Sequence, residues 1–113
     1  MWFDPALSSE TTANWKGGST HMIRSLRDRK TRRFFEGRRV ASVQSFADQA
    51  ARRLTLLDNA ETLSDLAALP GNRLEALRGD RAGQHSIRIN AQWRLCFRWT
   101  DDGPHDVEIV DYH

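Results

Sequence analysis

Cysteine is almost absent from this chain of 113 residues. Cys96 stands alone, so neither an intramolecular disulfide nor a cysteine-rich metal site can hold the fold together. Long apolar runs are missing too. The longest stretches are a few residues interrupted by arginine, far short of the ~20 that a membrane-spanning helix needs. Asp4, Glu10, Asn14 and Lys16 break up any apolar region a secretory signal would require. A reducing cytoplasm and no membrane role are the expectation. There is no glycine-rich phosphate loop followed by Lys-Ser or Lys-Thr, no Gly-x-Ser-x-Gly elbow and no paired-carboxylate signature, which sets those enzyme classes aside. The four histidines, His21, His85, His105 and His113, show no metal-ligand spacing, and no metal or cofactor is expected.

Hydrophobic residues make up 39% and charged residues 28%, enough for one modest core under a heavily charged surface, and hence for a single domain. The formal net charge is only +2, but nearly all the cations are arginine, the side chain best shaped to grip phosphate in a fork. That composition suits a polyanionic partner; it is equally that of an ordinary solvated face.

Residues 1–21 are polar, rich in small residues and without helical or strand periodicity. They read as a tag or an extension ahead of a domain spanning 22–113, with Met22 as its expected start. Ile23-Arg24-Ser25-Leu26 alternates like a short strand, and Asp28 to Arg39 is expected to hold a short helix and a basic loop. Val43, Phe46, Ala47, Ala50, Leu54 and Leu57 recur at helical spacing with polar residues on the opposite side. Leu63, Leu66 and Leu69 repeat the pattern over 61–69 until Pro70-Gly71 stops it. After Gly71 the period becomes two, through Leu74, Ala76, Ile87 and Ile89. Trp93, Leu95, Phe97 and Trp99 then face one way and Arg94, Cys96 and Arg98 the other. Asp101-Asp102-Gly103-Pro104 is a turn signal, and residues 107–112 close a hairpin. Helices followed by an antiparallel sheet make an α+β fold.

The alternation puts Arg88 with Asn90, Arg94 and Arg98 on the outward faces of neighbouring strands, with Arg78 and Arg81 in the approach loop. Such a face suits an RNA backbone, and a guanidinium beside a scissile phosphate would stabilise the charge that develops as a 2′-hydroxyl attacks. The chain ends Asp111-Tyr112-His113. A histidine moves protons near neutrality, and a tyrosine donates a hydrogen bond or stacks on a base, although a frayed strand end can carry the same dipeptide. Cys96 is assigned no role, and His85 and His105 are weaker candidates than His113.

The run Leu74-Glu75-Ala76-Leu77-Arg78-Gly79-Asp80-Arg81-Ala82-Gly83-Gln84-His85-Ser86-Ile87, then Gln92-Trp93-Arg94-Leu95-Cys96-Phe97 and the ending Asp111-Tyr112-His113, resembles HigB toxins, the plasmid-maintenance killer proteins of the RelE superfamily. Met22-Ile23-Arg24-Ser25 matches as well, so the resemblance covers 22–113. It implies a RelE-like microbial-ribonuclease fold: a small antiparallel sheet of about four strands with two N-terminal helices packed on one face. It also implies metal-independent cleavage of mRNA in the ribosomal A site by 2′-hydroxyl attack. Carried over by position, Arg78, Arg94, Tyr112 and His113 are the expected catalytic residues, and Arg81, Arg88, Asn90 and Arg98 the expected RNA-binding ones. Some relatives carry a basic residue where this chain has Asn90 and a histidine near Glu75, so Arg88 is expected to compensate. The implied partners are the ribosome, mRNA and a helix-turn-helix antitoxin of the HigA type, with operator DNA reached only through that antitoxin. The competing readings are a non-catalytic RNA- or ribosome-binding module, in which Tyr112 stacks on a base, and a purely protein-binding subunit.

Overall fold

The computed structural model describes residues 22–112; the expectations for residues 1–21 and for His113 lie outside the described residues. Three α-helices precede a four-stranded sheet. They are α1 (Arg29–Phe35), α2 (Ala47–Asn59) and α3 (Leu63–Ala67), followed by β1 (Glu75–Ala76), β2 (His85–Arg88), β3 (Trp93–Thr100) and β4 (Gly103–Asp111). The sheet order is β1-β2-β3-β4 and every pair is antiparallel, so each strand lies beside its neighbour in sequence. The α+β expectation holds, and so does the four-strand sheet.

Local chemistry sets the helix limits. Asp28 caps α1, its carboxylate accepting from Thr31 N–H at 3.2 Å. The helical spacing from Val43 to Leu57 resolves into a 3-10 turn over Gln44–Phe46 and then α2. Phe46, at φ −131°, lies outside the helical basin and offers no side-chain cap, yet the tighter turn still keeps Val43 and Phe46 on the buried side. Thr62 and Asp65 form a reciprocal capping box at the start of α3. Leu69 is extended, as a residue before proline tends to be, and Pro70–Asn72 form a single 3-10 turn rather than a plain stop.

The core lies between α2 and one face of the sheet. Ala50, Leu54 and Leu57 from the helix, Leu66 from α3, and Ile87, Leu95, Phe97, Val107 and Ile109 from the strands are all buried in one cluster. Trp93 stacks on Phe46 with ring centroids 4.8 Å apart, and Trp99 meets the edge of Phe97 at 6.5 Å. The alternation expected of β3 is therefore observed.

The free edge of β4 is closed by the chain before α1. The expected strand at residues 23–26 reduces to a single parallel bridge, Leu26 to Val107. The cause is a bulge: Cys96 pairs with Glu108 but Arg98 pairs with His105, which leaves an extra residue on β4, and Asp106 there has φ +53°. Instead of a regular rung, Asp106 N–H donates to Ser25 Oγ at 2.8 Å. Beyond the bridge, α1 takes over. Thr31 Oγ1 accepts from Ile109 N–H at 3.0 Å, and Lys30 Nζ donates to Ile109 C=O at 2.7 Å. At the other end of this segment, Asp58, buried at the end of α2, accepts from the N–H groups of Met22 (2.8 Å) and Ile23 (3.0 Å).

Two substitutions test this account. Gly103 has φ +121°, and a Cβ there would collide with Met22 C=O. Gly103→Ala is therefore expected to lower the unfolding free energy by about 2–4 kcal/mol in urea titration, combining backbone strain with overpacking. Burial pushes the Asp28 carboxyl up, but hydrogen bonds from Thr31 and Lys30 outweigh it and hold it below its ordinary 3.8. A folded value below the unfolded one stabilises above that range and fades as pH falls through the folded value. Asp28→Ala should thus cost about 1 kcal/mol at pH 7, with the gap from the parent shrinking below pH ~4.

Candidate functional site

Helices cover one face of the sheet, and the other face carries the charge. β3 presents Arg94, Cys96 and Arg98 there, β2 presents Ser86 and Arg88, and β4 presents Glu108 and Val110. Strand geometry alone puts these side chains together, because residues two apart on a strand share a face and cross-strand partners lie opposite one another.

Arg94 stands at the centre. Its side chain is 13% exposed, so its guanidinium needs acceptors. Nε donates to Ser86 Oγ at 2.7 Å and Nη2 to Arg73 C=O at 2.6 Å. Glu75, 58% exposed on β1, places a carboxylate oxygen 3.8 Å from Nη2. The guanidinium carbon lies 5.8 Å from the centroid of the Tyr112 ring, within cation–π range. Tyr112 is held in turn by its N–H, which donates to Gln92 C=O at 2.6 Å, while Gln92 Nε2 donates to both carboxylate oxygens of Asp111 at 3.2 Å.

Arg88 is paired directly with Arg94 across the β2–β3 ladder. Like charges so placed destabilise a sheet, and Arg88 has no ion pair among the described residues. Two opposed arginines and an aromatic ring at one end of the open face are the chemistry that can receive an anion attached to a flat group.

The structure thus brings Arg88, Arg94 and Tyr112 together. Arg78 is exposed at the start of the 3-10 turn Gly79–Arg81 and forms no ion pair among the described residues. Arg81 shares the charged face but is engaged: Nη1 donates to Gln84 Oε1 at 3.0 Å and to Glu108 Oε1 at 3.2 Å, and Arg27 approaches the same carboxylate at 3.6 Å. Arg98 lies further along β3, paired with Asp106 at 3.0 Å. Asn90 sits in the β2–β3 turn, where its carboxamide oxygen accepts from the N–H groups of Gln92 and Trp93, both at 2.8 Å. His113 lies outside the described residues.

The remaining polar groups are placed elsewhere. His105 pairs with Asp102 at 2.9 Å in the β3–β4 hairpin, and hydrogen bonds from Thr100 and His105 hold the Asp102 carboxyl down at about 2. His85 shares the core-side face of β2 with Ile87 and stacks on Phe97, its Nδ1 buried without a hydrogen-bond partner among the described residues. Burial pushes the Cys96 thiol up, which keeps it protonated and unreactive at neutral pH. Among the described residues no group of three or more His, Cys, Asp or Glu side chains is arranged to hold a metal ion, and no helix is long and apolar enough to cross a membrane.

Sequence reasoning missed Ser86 and Arg73. Ser86 alternates with Ile87 and so had to face Arg94's side, a signal present in the residues. Arg73 acts through its backbone carbonyl in a left-handed conformation (φ 46°), and no side-chain pattern announces that.

The chain is similar to known proteins over most of its length. A family model described as the RelE-like toxin of type II toxin-antitoxin system HigB matches residues 24–113. Toxin HigB-1 of Vibrio cholerae serotype O1 is 40% identical over 82 residues, covering 71% of this chain and 86% of that protein. Endoribonuclease HigB of Proteus vulgaris is 30% identical over 97 residues, covering 81% of this chain and 100% of that protein. The chain belongs to the HigB family of RelE-like toxins of type II toxin-antitoxin systems, and membership implies an antitoxin partner.

Proposed function

We propose that this toxin is an endoribonuclease that cuts mRNA in the ribosomal A site without a metal and so arrests translation and growth, acting in the cytoplasm. Arg94 carries the reading: a guanidinium withdrawn from water, opposite a second arginine and against a tyrosine ring, on the one open face of the sheet. The name of the Proteus vulgaris relative, an endoribonuclease, points the same way.

In this mechanism Arg94 grips the scissile phosphate and neutralises the charge that builds on its oxygens as the 2′-hydroxyl attacks. Arg88, from the opposing strand, and Arg78, from the loop, hold the neighbouring phosphates. Tyr112 stacks on a base or donates to a phosphate oxygen, and His113 exchanges the proton between the 2′-hydroxyl and the 5′-oxygen leaving group. Arg81 and Arg98, already paired with carboxylates, add positive potential along the RNA path, and Asn90 contributes through the turn that sets β2 and β3 in register. The antitoxin partner is a helix-turn-helix protein of the HigA type, through which the complex reaches operator DNA.

Primer extension on a defined mRNA in a purified translation system tests the proposal. The intact protein should cut at A-site codons only when ribosomes are present, and EDTA-treated toxin should cut equally well. Arg94→Ala should slow cutting by about 10²–10³-fold, and removal of His113 by about 10²–10⁴-fold. Ribosome binding without any cutting would instead establish a binding module.

A further inference from the structure

A guanidinium offers five N–H groups in a fixed plane, and Arg94 does not use them evenly. The edge formed by Nε and Nη2 is occupied, with Nε on Ser86 Oγ at 2.7 Å and Nη2 on Arg73 C=O at 2.6 Å. Nη1 has no hydrogen-bond partner among the described residues. One side of the fork is therefore anchored in protein while the other is left to a ligand.

Both anchors are rigid. Ser86 is fully buried on β2, where strand pairing with Cys96 and Glu75 fixes its backbone on both sides. Arg73 owes its carbonyl direction to Asn72, also fully buried. Asn72 Oδ1 accepts from Arg53 Nη1 at 2.6 Å and Nδ2 donates to Leu66 C=O at 3.0 Å, which ties the 3-10 turn to α2 and α3. The left-handed Arg73 that follows then turns its carbonyl onto Arg94. Arginine is otherwise a long, flexible side chain, and Arg88 across the ladder repels it.

We infer that Ser86 is a positioning residue for RNA cleavage: its hydroxyl, with the Arg73 carbonyl set by Asn72, locks the Nε–Nη2 edge of Arg94 so that the Nη1 edge stays aimed at the scissile phosphate. This rests on the proposed nuclease reading. Ser86 touches no RNA in this scheme and acts wholly through Arg94. Without its hydroxyl, Nε is left unsatisfied and the guanidinium keeps only its Nη2 hydrogen bonds, to Arg73 C=O at 2.6 Å and to Ser86 C=O at 3.5 Å, a loosening that costs rate more than affinity.

The test uses the full chain with Ser86→Ala, Arg94→Ala and the double variant. Single-turnover cleavage on programmed ribosomes should fall by about ten- to a hundredfold in Ser86→Ala, while the Kd for ribosomes carrying a 2′-O-methyl, uncleavable message stays within about twofold. Adding Ser86→Ala to Arg94→Ala should cause no further loss, because the serine has nothing left to position. By ¹⁵N NMR, the Arg94 Nε–H should exchange slowly with water in the parent and rapidly in Ser86→Ala. An unchanged rate in Ser86→Ala, an equal loss in both backgrounds, or a protected Nε–H in Ser86→Ala would each overturn the inference. A parent chain that never cuts RNA sinks the nuclease reading instead, and the Nε–H exchange then decides the lock on its own.

Discussion

A cation withdrawn from water must be given acceptors, and in this molecule satisfying that requirement for Arg94 ties the parts together. Its guanidinium takes an oxygen from β2, a carbonyl from the turn that follows α3, and an aromatic face from the end of the chain. Those three supports come from residues 73, 86 and 112, far apart in sequence, so the site exists only when the sheet is paired and the helices are docked. Asn72 extends the dependence into the helical layer through Arg53 and Leu66. The same strand that carries Arg94 outward carries Leu95 and Phe97 inward, which makes β3 both the spine of the core and the floor of the site.

A second constraint acts at the opposite edge. A four-stranded sheet leaves β4 with a row of unpaired backbone groups, and such an edge invites pairing with other chains. Here the edge is covered twice, first by the segment ending at Leu26 and then by the side chains of Thr31 and Lys30. The bulge at Asp106 separates the two covers. It also turns the Asp106 carboxylate toward Arg98 and Ser25, so Arg98 is drawn into the packing of the N-terminal segment. One extra residue in a strand therefore sets Arg98, held by Asp106, apart from Arg94 on the regular part of the ladder.

Period and alternation made the framework legible. Ala50, Leu54 and Leu57 announced α2, and the Trp93-to-Trp99 alternation separated the core side of β3 from its charged side. The arginine face was legible for the same reason, since Arg88 and Arg94 follow from the strand period alone. What stayed hidden depends on backbone direction or on partners remote in sequence. The bulge shortened the strand expected at residues 23–26, and the left-handed Arg73 recruits a carbonyl that any residue type carries. Pairing with Glu108 and Asp106 likewise separates Arg81 and Arg98 from Arg88, although all four look alike as outward arginines.

That division has an energetic reason. Placing Arg88 opposite Arg94 works against folding, and neither Glu75 nor Glu108 cancels it. Glu75 is largely exposed and 3.8 Å from Arg94, and Glu108 is engaged with Arg81 and Arg27. Arg81 and Arg98, elsewhere on the face, are matched to acids at 3.0–3.2 Å, whereas Arg88 has no ion pair among the described residues. Like charges kept opposite one another in a folded domain, with an exposed carboxylate 3.8 Å from one of them, are the kind of local conflict expected where something other than stability sets the sequence. In the proposed mechanism a phosphate bound between them relieves this repulsion through charge-assisted hydrogen bonds.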